Sequence, residues 1–245
     1  MGAPPTAAII IIGNEILSGK VHDSNSYFLA AELRNIGVDV RAISVLPDEI
    51  DIIGKQVSEA AASHDYVFTS GGVGPTHDDI TMEGVAKGFG VKTVRNKTLE
   101  GIILRRCGDR TPDESALKMA ELPEGAELIL NEGMRFPVVV FRNVYIFPGI
   151  PRFLREKFSA VKDRFRSRPF HVKKVYVNED ECFIAYHLGK VVEDYPEVSI
   201  GSYPQVDKPD YKITVTLEST DEGELEKAYY LLLELLPPEI IVRTE

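Results

Sequence analysis

The feature that most constrains this chain is the run TAAIIIIG over residues 6–13: six unbroken apolar residues after Thr6, closed by Gly13. A half-exposed strand would alternate apolar with polar side chains. An unbroken apolar run of this length suits a strand covered on both faces, as in a parallel sheet packed between helices. The residues that follow keep to that plan. SYFLAAELRNIG carries Phe28, Leu29, Leu33 and Ile36 at helical spacing, with Gly37 placed to end the helix. VDVRAISVL (38–46) is a second strand, and Ile50, Ile53, Val57 and Ala60 stripe a second helix. YVFTS (66–70) is a third strand, and Met82, Val85, Ala86 and Phe89 mark a third helix closed by Gly90. This alternation predicts an α/β fold, a three-layer, mostly parallel sheet with helices on both faces.

Further along, Thr111-Pro112-Asp113-Glu114 has the pattern of a capping box opening a short helix. ELIL reads as a strand, and VVVFRNVYIF (138–147) as a hairpin turning at Arg142-Asn143. PGIP (148–151) begins a long helix with Leu154, Phe158, Val161 and Phe165 on one face. RSRPF (166–170) marks a boundary. The order beyond it reads strand, helix, strand, strand, helix, strand, which predicts a smaller α+β unit of ferredoxin-like type. The expected domains are 1–168 and 169–245. Charge separates them too: residues 171–245 hold 7 Lys+Arg against 16 Asp+Glu, so nearly all of the chain's net −10 lies in the tail.

That acidity argues against nonspecific DNA binding, which needs a basic face. Cys107 and Cys182 stand far apart in no metal-ligand spacing, and the histidines show none either. AAIIII is too short to span a bilayer. The expectation is a soluble, cytoplasmic protein with no nucleic-acid or membrane partner.

Ligands of parallel sheets bind beyond the carboxyl ends of the strands. Three loops should meet there: GNEILSGKVHDSN, PDE and GGVGPTHDD, each carrying at least one carboxylate. The third lies within TSGGVGPTHDDIT (69–81), and it is neither a P-loop nor a dinucleotide fingerprint, since the required lysine and third glycine are missing. Its glycines let backbone N–H groups turn toward an anion at a helix start. Two aspartates in such a loop need a reason. Thr76 as N-cap with Asp79 three residues later would explain one of them. A divalent cation held between carboxylates and phosphate would explain both Asp78 and Asp79. Asp48, and the Asp23-Ser24-Asn25 run, also read as helix caps, while Glu15 has equal claims as ligand or solvated side chain. The basic residues of 152–168 read as a solvated face.

Together, GNEILSGKVHDSN, VLPDE, TSGGVGPTHDDIT and FPGIP resemble the signature blocks of the molybdopterin-binding (MoCF) domain, and more narrowly the N-terminal domains of CinA-type proteins and of eukaryotic FAD synthase. The tail resembles the small domain, called KH-like in CinA, that follows in those proteins. The resemblance implies a domain binding a nucleotide or pterin phosphate, and a divalent-metal-dependent pyrophosphatase that cuts FAD or ADP-ribose and releases AMP. The alternatives it leaves are a molybdopterin- or nucleotide-binding protein without turnover, and a molybdopterin adenylyltransferase. It implies Asp48, Asp79 and Asp78 as catalytic residues and Glu15, Asp48 and Asp79 as ligands of Mg, Co or Mn. Asn14, Asp23, Asn25, Ser70, Gly71, Gly72, Val73, Gly74, Pro75, Thr76, Pro148 and Gly149 are the expected nucleotide and phosphate contacts. Relatives' habits imply a homodimer or homotrimer. The chain to Glu245 carries neither the amidohydrolase domain of CinA nor the adenylyltransferase domain of FAD synthase, so neither activity is expected. The acidic tail lacks a Gly-x-x-Gly loop, which argues against KH-style RNA binding.

Overall fold

The computed structural model describes residues 3–107, 112–131, 134–205 and 210–245. The chain forms two compact units, 1–167 and 168–245. In the first, β1 (Thr6–Ile12) leads into a single helical turn, α1 (Asn14–Leu17), then α2 (Asn25–Asn35), β2 (Asp39–Leu46), α3 (Ile50–Ser63), β3 (Tyr66–Ser70) and α4 (Thr81–Gly88). A short strand β4 (Thr93–Arg95), helices α5 (Lys97–Cys107) and α6 (Glu114–Lys118), and β5 (Glu121–Pro123) follow. The unit ends with β6 (Glu127–Ile129), β7 (Val138–Phe141), β8 (Val144–Phe147) and α7 (Pro151–Val161), which tightens into a 3₁₀ turn over Lys162–Phe165.

The central sheet has the order β2-β1-β3-β8-β7-β6. Its β2-β1-β3-β8 half is parallel, and β6 and β7 complete it antiparallel. The apolar run of β1 divides its side chains between two cores, as a pleated strand in the middle of a three-layer unit must. Ile10 and Ile12 pack with Ile53, Val57, Val85 and Ile102, from α3, α4 and α5. Ala7, Ile9 and Ile11 pack with Leu29, Leu33, Leu154 and Phe158, from α2 and α7. Phe68 sits at the centre of the second core, with the rings of Phe165, Tyr145 and Phe158 at 5.0, 5.7 and 6.1 Å. The hairpin turns where expected, and Arg142 takes the left-handed conformation that this tight reversal needs (φ 55°).

The helix before the hairpin starts differently from the sequence expectation. Asp113, not Thr111, caps α6: its carboxylate accepts from the Ala116 N–H at 2.8 Å. Pro112 therefore precedes the cap, and Thr111 lies outside the described residues. The two-stranded β4–β5 ribbon and α5 are additions that the strand-helix alternation alone does not require.

The second unit comprises β9 (His171–Val177), α8 (Glu181–Asp194), β10 (Ser199–Pro204), β11 (Ile213–Ser219), α9 (Glu222–Leu235) and β12 (Ile241–Thr244). Its sheet runs β10-β11-β9-β12, antiparallel throughout. Residues of β11 alternate buried and part-exposed, and Val215 and Leu217 pack beneath Ile184, Val191, Leu225 and Leu232 of the two helices. Among the described residues no helix is long and apolar enough to cross a membrane.

Helices α3 and α4 meet backbone to backbone through glycine. A Cβ on Gly88 would stand 2.1 Å from the Gly54 carbonyl oxygen, and one on Gly54 would stand 2.7 Å from the Gly84 oxygen. Neither contact can relax by turning a side chain. Gly54→Ala should therefore destabilise the chain by about 1–3 kcal/mol, the usual cost of overpacking. Gly189, mid-helix in α8, has open space around it, and Gly189→Ala should stabilise by up to ~1 kcal/mol through helix propensity. Urea midpoints of the two variants should move in opposite directions.

Candidate active site

The carboxyl ends of β1, β3 and β8 lie side by side, so the loops they feed converge. After β3 the chain folds back sharply at Gly71 (φ 114°), whose N–H donates to the Phe147 carbonyl at 3.2 Å. A side chain there would collide with the Ile12 carbonyl oxygen, 2.0 Å from the Cβ position. Thr81, the first residue of α4, ties the loop shut. Its buried hydroxyl donates to the Gly71 carbonyl at 2.8 Å, and its N–H donates to the Gly72 carbonyl at 3.0 Å.

Asp79 closes a turn inside this loop. Its Oδ2 accepts from the Thr76 N–H at 2.8 Å and lies 2.5 Å from the Thr76 hydroxyl. The same hydroxyl lies 2.6 Å from Asp78 Oδ1, and its one proton serves one carboxylate at a time. That hydrogen bond holds the Asp78 carboxyl below the ordinary carboxylate range. The Thr76–Asp79 pair is thus real, but it does not cap α4, which starts two residues later behind Ile80. Gly74 is bare because Asp79 Oδ2 would stand 2.6 Å from its Cβ. Lys118 holds the loop from outside, donating to the Asp79 carbonyl at 2.8 Å and pairing with Glu83 at 3.1 Å.

Of two other acids that the sequence reads as helix caps, one departs from that reading. Asp48 does not cap α3; its Oδ2 reaches across to accept from the Asn14 N–H at 2.8 Å, pinning the first loop to the second. Asp23 does act as a cap. It accepts from the backbone N–H groups of Asn25 and Ser26 at 2.9 and 3.1 Å and from the Ser26 hydroxyl. Asn25 is buried and stitches the loops together: its Nδ2 donates to Ser70 Oγ at 3.0 Å and to the Gly149 carbonyl at 2.7 Å. A carbonyl only accepts, so this contact fixes which end of the amide is which, and Oδ1 is the acceptor left for a donor. Asn25 lines a small hollow of about 60 Å³ with Glu15, Asp23, Ser70 and Gly149.

Beside it opens a cavity of about 680 Å³, within the usual range for a small-molecule site. Gly71, Gly72, Val73, Gly74 and Pro75 line one part of it, with Glu15, Asp79, Pro148 and Gly149. Of the sequence-predicted residues, Asn14, Asp48, Thr76 and Asp78 do not line it, while Asp23, Asn25 and Ser70 line only the hollow next to it. Sequence reasoning missed the remaining wall. That wall is apolar at Met82, Leu99, Met119, Phe136 and Val139, and basic at Arg106, Arg135 and Lys157. Lys157 in particular is no solvated surface residue. Burial lowers its pKa from 10.5 to about 8, and its Nζ donates to the Pro137 carbonyl at 2.5 Å.

Among the described residues no three His, Cys, Asp or Glu side chains gather into a ready-made metal cage. Glu15 and Asp79 do share the cavity wall with the glycine loop. Mg²⁺ is commonly held by one or two carboxylates plus ligand phosphate oxygens rather than by an all-protein cage. The residues present fit a cation of that shared kind.

Lys157 gives a pH signature. Its folded pKa lies below its unfolded value, so between about pH 8 and 10.5 the unfolded chain holds the extra proton and stability rises with pH. Below pH 8 the cost of burying the charge is present in full. Lys157→Met removes that cost and also a hydrogen bond, so it should stabilise by about 1–2 kcal/mol at pH 7. The gain should fade as pH rises to 10.5, read from urea midpoints across pH 7–10.5.

Comparison with known proteins is consistent with this geometry. Residues 8–167 match the family model described as "Probable molybdopterin binding domain", and residues 169–245 match "FAD synthase, middle domain". A protein of Archaeoglobus fulgidus is 36% identical over 228 residues, covering 93% of this chain and 96% of the relative. A "Probable FAD synthase" of Caenorhabditis elegans is 32% identical, covering 96% of this chain and 51% of the relative. The chain thus spans about half the length of that relative. The crystal structure of a protein CinA of unknown function from Thermoplasma acidophilum is 32% identical, covers 66% of this chain and 98% of its own, and superposes with a TM-score of 0.61.

Proposed function

The chain belongs to the family of probable molybdopterin-binding domains, and from that premise we propose that it is a divalent-metal-dependent nucleotide pyrophosphatase acting on FAD or ADP-ribose and releasing AMP. One observation carries the reading: a glycine-rich strand-to-helix loop and two carboxylates, Glu15 and Asp79, line the same cavity. The likeness to FAD synthases adds the nucleotide class of ligand.

In this reading the backbone N–H groups of residues 72–74 bind the phosphates, and Pro148-Gly149 forms the facing edge of the pocket. Glu15 and Asp79 would hold the cation, which when bound would neutralise carboxylate and phosphate charge and polarise the phosphoryl group. Water adds to one phosphorus and the bridging P–O bond breaks, leaving AMP and a second phosphate monoester. Asp79 and the loop amides position that phosphoryl group. Asp48 contributes by holding the first loop at Asn14, and so keeps Glu15 in place. The apolar wall favours FAD of the two substrates, since a flavin ring buries more apolar surface than a ribose.

A second reading, a nucleotide- or molybdopterin-binding protein without turnover, is favoured by one specific observation. Asp48 is committed to a backbone N–H, and Asp78 lies outside the cavity lining. Incubation with FAD or ADP-ribose and Mg²⁺, Co²⁺ or Mn²⁺ decides between them. AMP should appear, and Asp79→Asn should slow its release by about 100-fold or more, the scale of losing one key electrostatic group. Ligand binding by wild type with no AMP after long incubation would establish the binding-only protein instead.

A further inference from the structure

The basic wall of the cavity plays no part in the reaction outlined above, and its geometry is unusual. Three cations from three separate stretches of chain meet on residues 135–137. Arg106, at the end of α5, lays its guanidinium 4.9 Å from the centre of the Phe136 ring. Lys157, on α7, donates to the Pro137 carbonyl. Arg135 heads the segment itself, and all three line the cavity.

The bland account of such residues is solvated surface charge, with Arg106 complementing a helix C-terminus. Arg106 and Arg135 are exposed, yet that account leaves their convergence with part-buried Lys157 unexplained. The chain carries a net charge of −10, yet three of its cations converge on one largely apolar wall. Several of its other cations are paired with acids, as Arg95 is with Glu114 and Glu121. None of Arg106, Arg135 and Lys157 forms an ion pair with a described residue. Glu15, Asp79 and Glu156 are the acids on the same cavity lining, and the first two belong with the glycine loop. A half-desolvated ammonium held by one carbonyl is costly, and an incoming anion would relieve it.

We propose that Arg106, Arg135 and Lys157 form a second, side-chain anion seat in this cavity, which binds one phosphate of the ligand's pyrophosphate while the glycine loop holds the other. The inference rests on the cavity being the ligand site, and not on hydrolysis taking place there. Arg106, stacked on Phe136, and Arg135 offer forked N–H donors suited to phosphate oxygens, and Lys157 supplies a point charge. Either half of a dinucleotide can present its phosphate to the seat, so the separate monophosphates AMP and FMN are both candidate occupants.

Site-resolved acetylation of Lys157 in the full chain tests the seat, read by peptide mass spectrometry at pH 7. Probes are AMP, FMN and inorganic pyrophosphate, with adenosine and riboflavin as phosphate-free partners. An anion within a few Å of an amine raises its pKa by about 1–3, which at pH 7 lowers the reactive neutral fraction by about tenfold or more. Lys157 labelling should therefore slow about tenfold with AMP or FMN, whichever occupies the seat, while exposed Lys55 keeps its rate. Adenosine and riboflavin should give no such protection. Arg135→Gln should abolish the protection without unfolding the chain, because Arg135 is exposed; Arg106→Met provides the same reading from another element. Unchanged labelling under saturating AMP, FMN and pyrophosphate overturns the proposal, as does equal protection by the phosphate-free partners. Protection without AMP release from FAD leaves the seat standing and removes the pyrophosphatase. AMP release without protection does the reverse.

Discussion

Everything about the site depends on three strand ends being able to lie against one another with no side chains between them. Gly71 folds under the Ile12 carbonyl, and a Cβ on Gly149 would be 3.3 Å from the Gly71 Cα. Asn25 then bolts the junction, bonding Ser70 and Gly149 at once, with the Ser70 hydroxyl donating onward to the Pro148 carbonyl at 3.2 Å. The parallel register of β1, β3 and β8 delivers these residues to one edge of the sheet. The glycines do more than permit a turn. They let backbone occupy the volume that side chains would fill, so the cavity floor consists of peptide groups, which suits an anionic ligand.

Much of this was legible in the sequence because the relevant signals are local. An apolar run with no alternation identifies a doubly covered strand, and β1 serves two cores as that pattern demands. Gly37 and Gly90 take positive φ where the helical stripes stop. The glycine loop's neighbours, Glu15 and Asp79, do line the cavity. The other acids show where local reasoning fails. Asp48 precedes a helix and looks like its cap, yet it bonds Asn14 N–H, 34 residues earlier in the chain. A carboxylate next to a helix start satisfies the nearest unpaired N–H in space, and a one-dimensional pattern cannot rank a tertiary donor against a local one.

The basic wall was hidden for a related reason, though part of the signal was present. Lys157 lies three residues after Leu154 and four before Val161, both fully or nearly fully buried. That spacing puts it on the edge of the buried stripe of α7, not on the solvent face. Counting charges along 152–168 averaged over this distinction. Leu99, Ile102 and Ile103 similarly mark α5, with Asn96 accepting from the N–H groups of Thr98 and Leu99 to start it. Arg106 sits three residues beyond Ile103, and its course across Phe136 is set by a packing contact between segments 30 residues apart.

A loop that holds anions through its backbone is destabilised by fixed negative charge unless each carboxylate has another use. Asp79 has one in the free protein, since it closes the turn on the Thr76 N–H and keeps the loop in shape without any ligand. Asp78 shares the Thr76 hydroxyl and faces water, where its charge is screened. The loop therefore tolerates both charges at rest. The positive charges in the cavity lie on Arg106, Arg135 and Lys157 rather than in the loop, so the field across the site runs from basic wall to acidic loop. A ligand carrying adjacent phosphates would be drawn to the wall by charge and held at the loop by hydrogen bonds and a shared cation. Met82, Met119 and Val139 add apolar surface to the same cavity. That division of labour explains why one cavity contains both signs of charge without pairing them to each other.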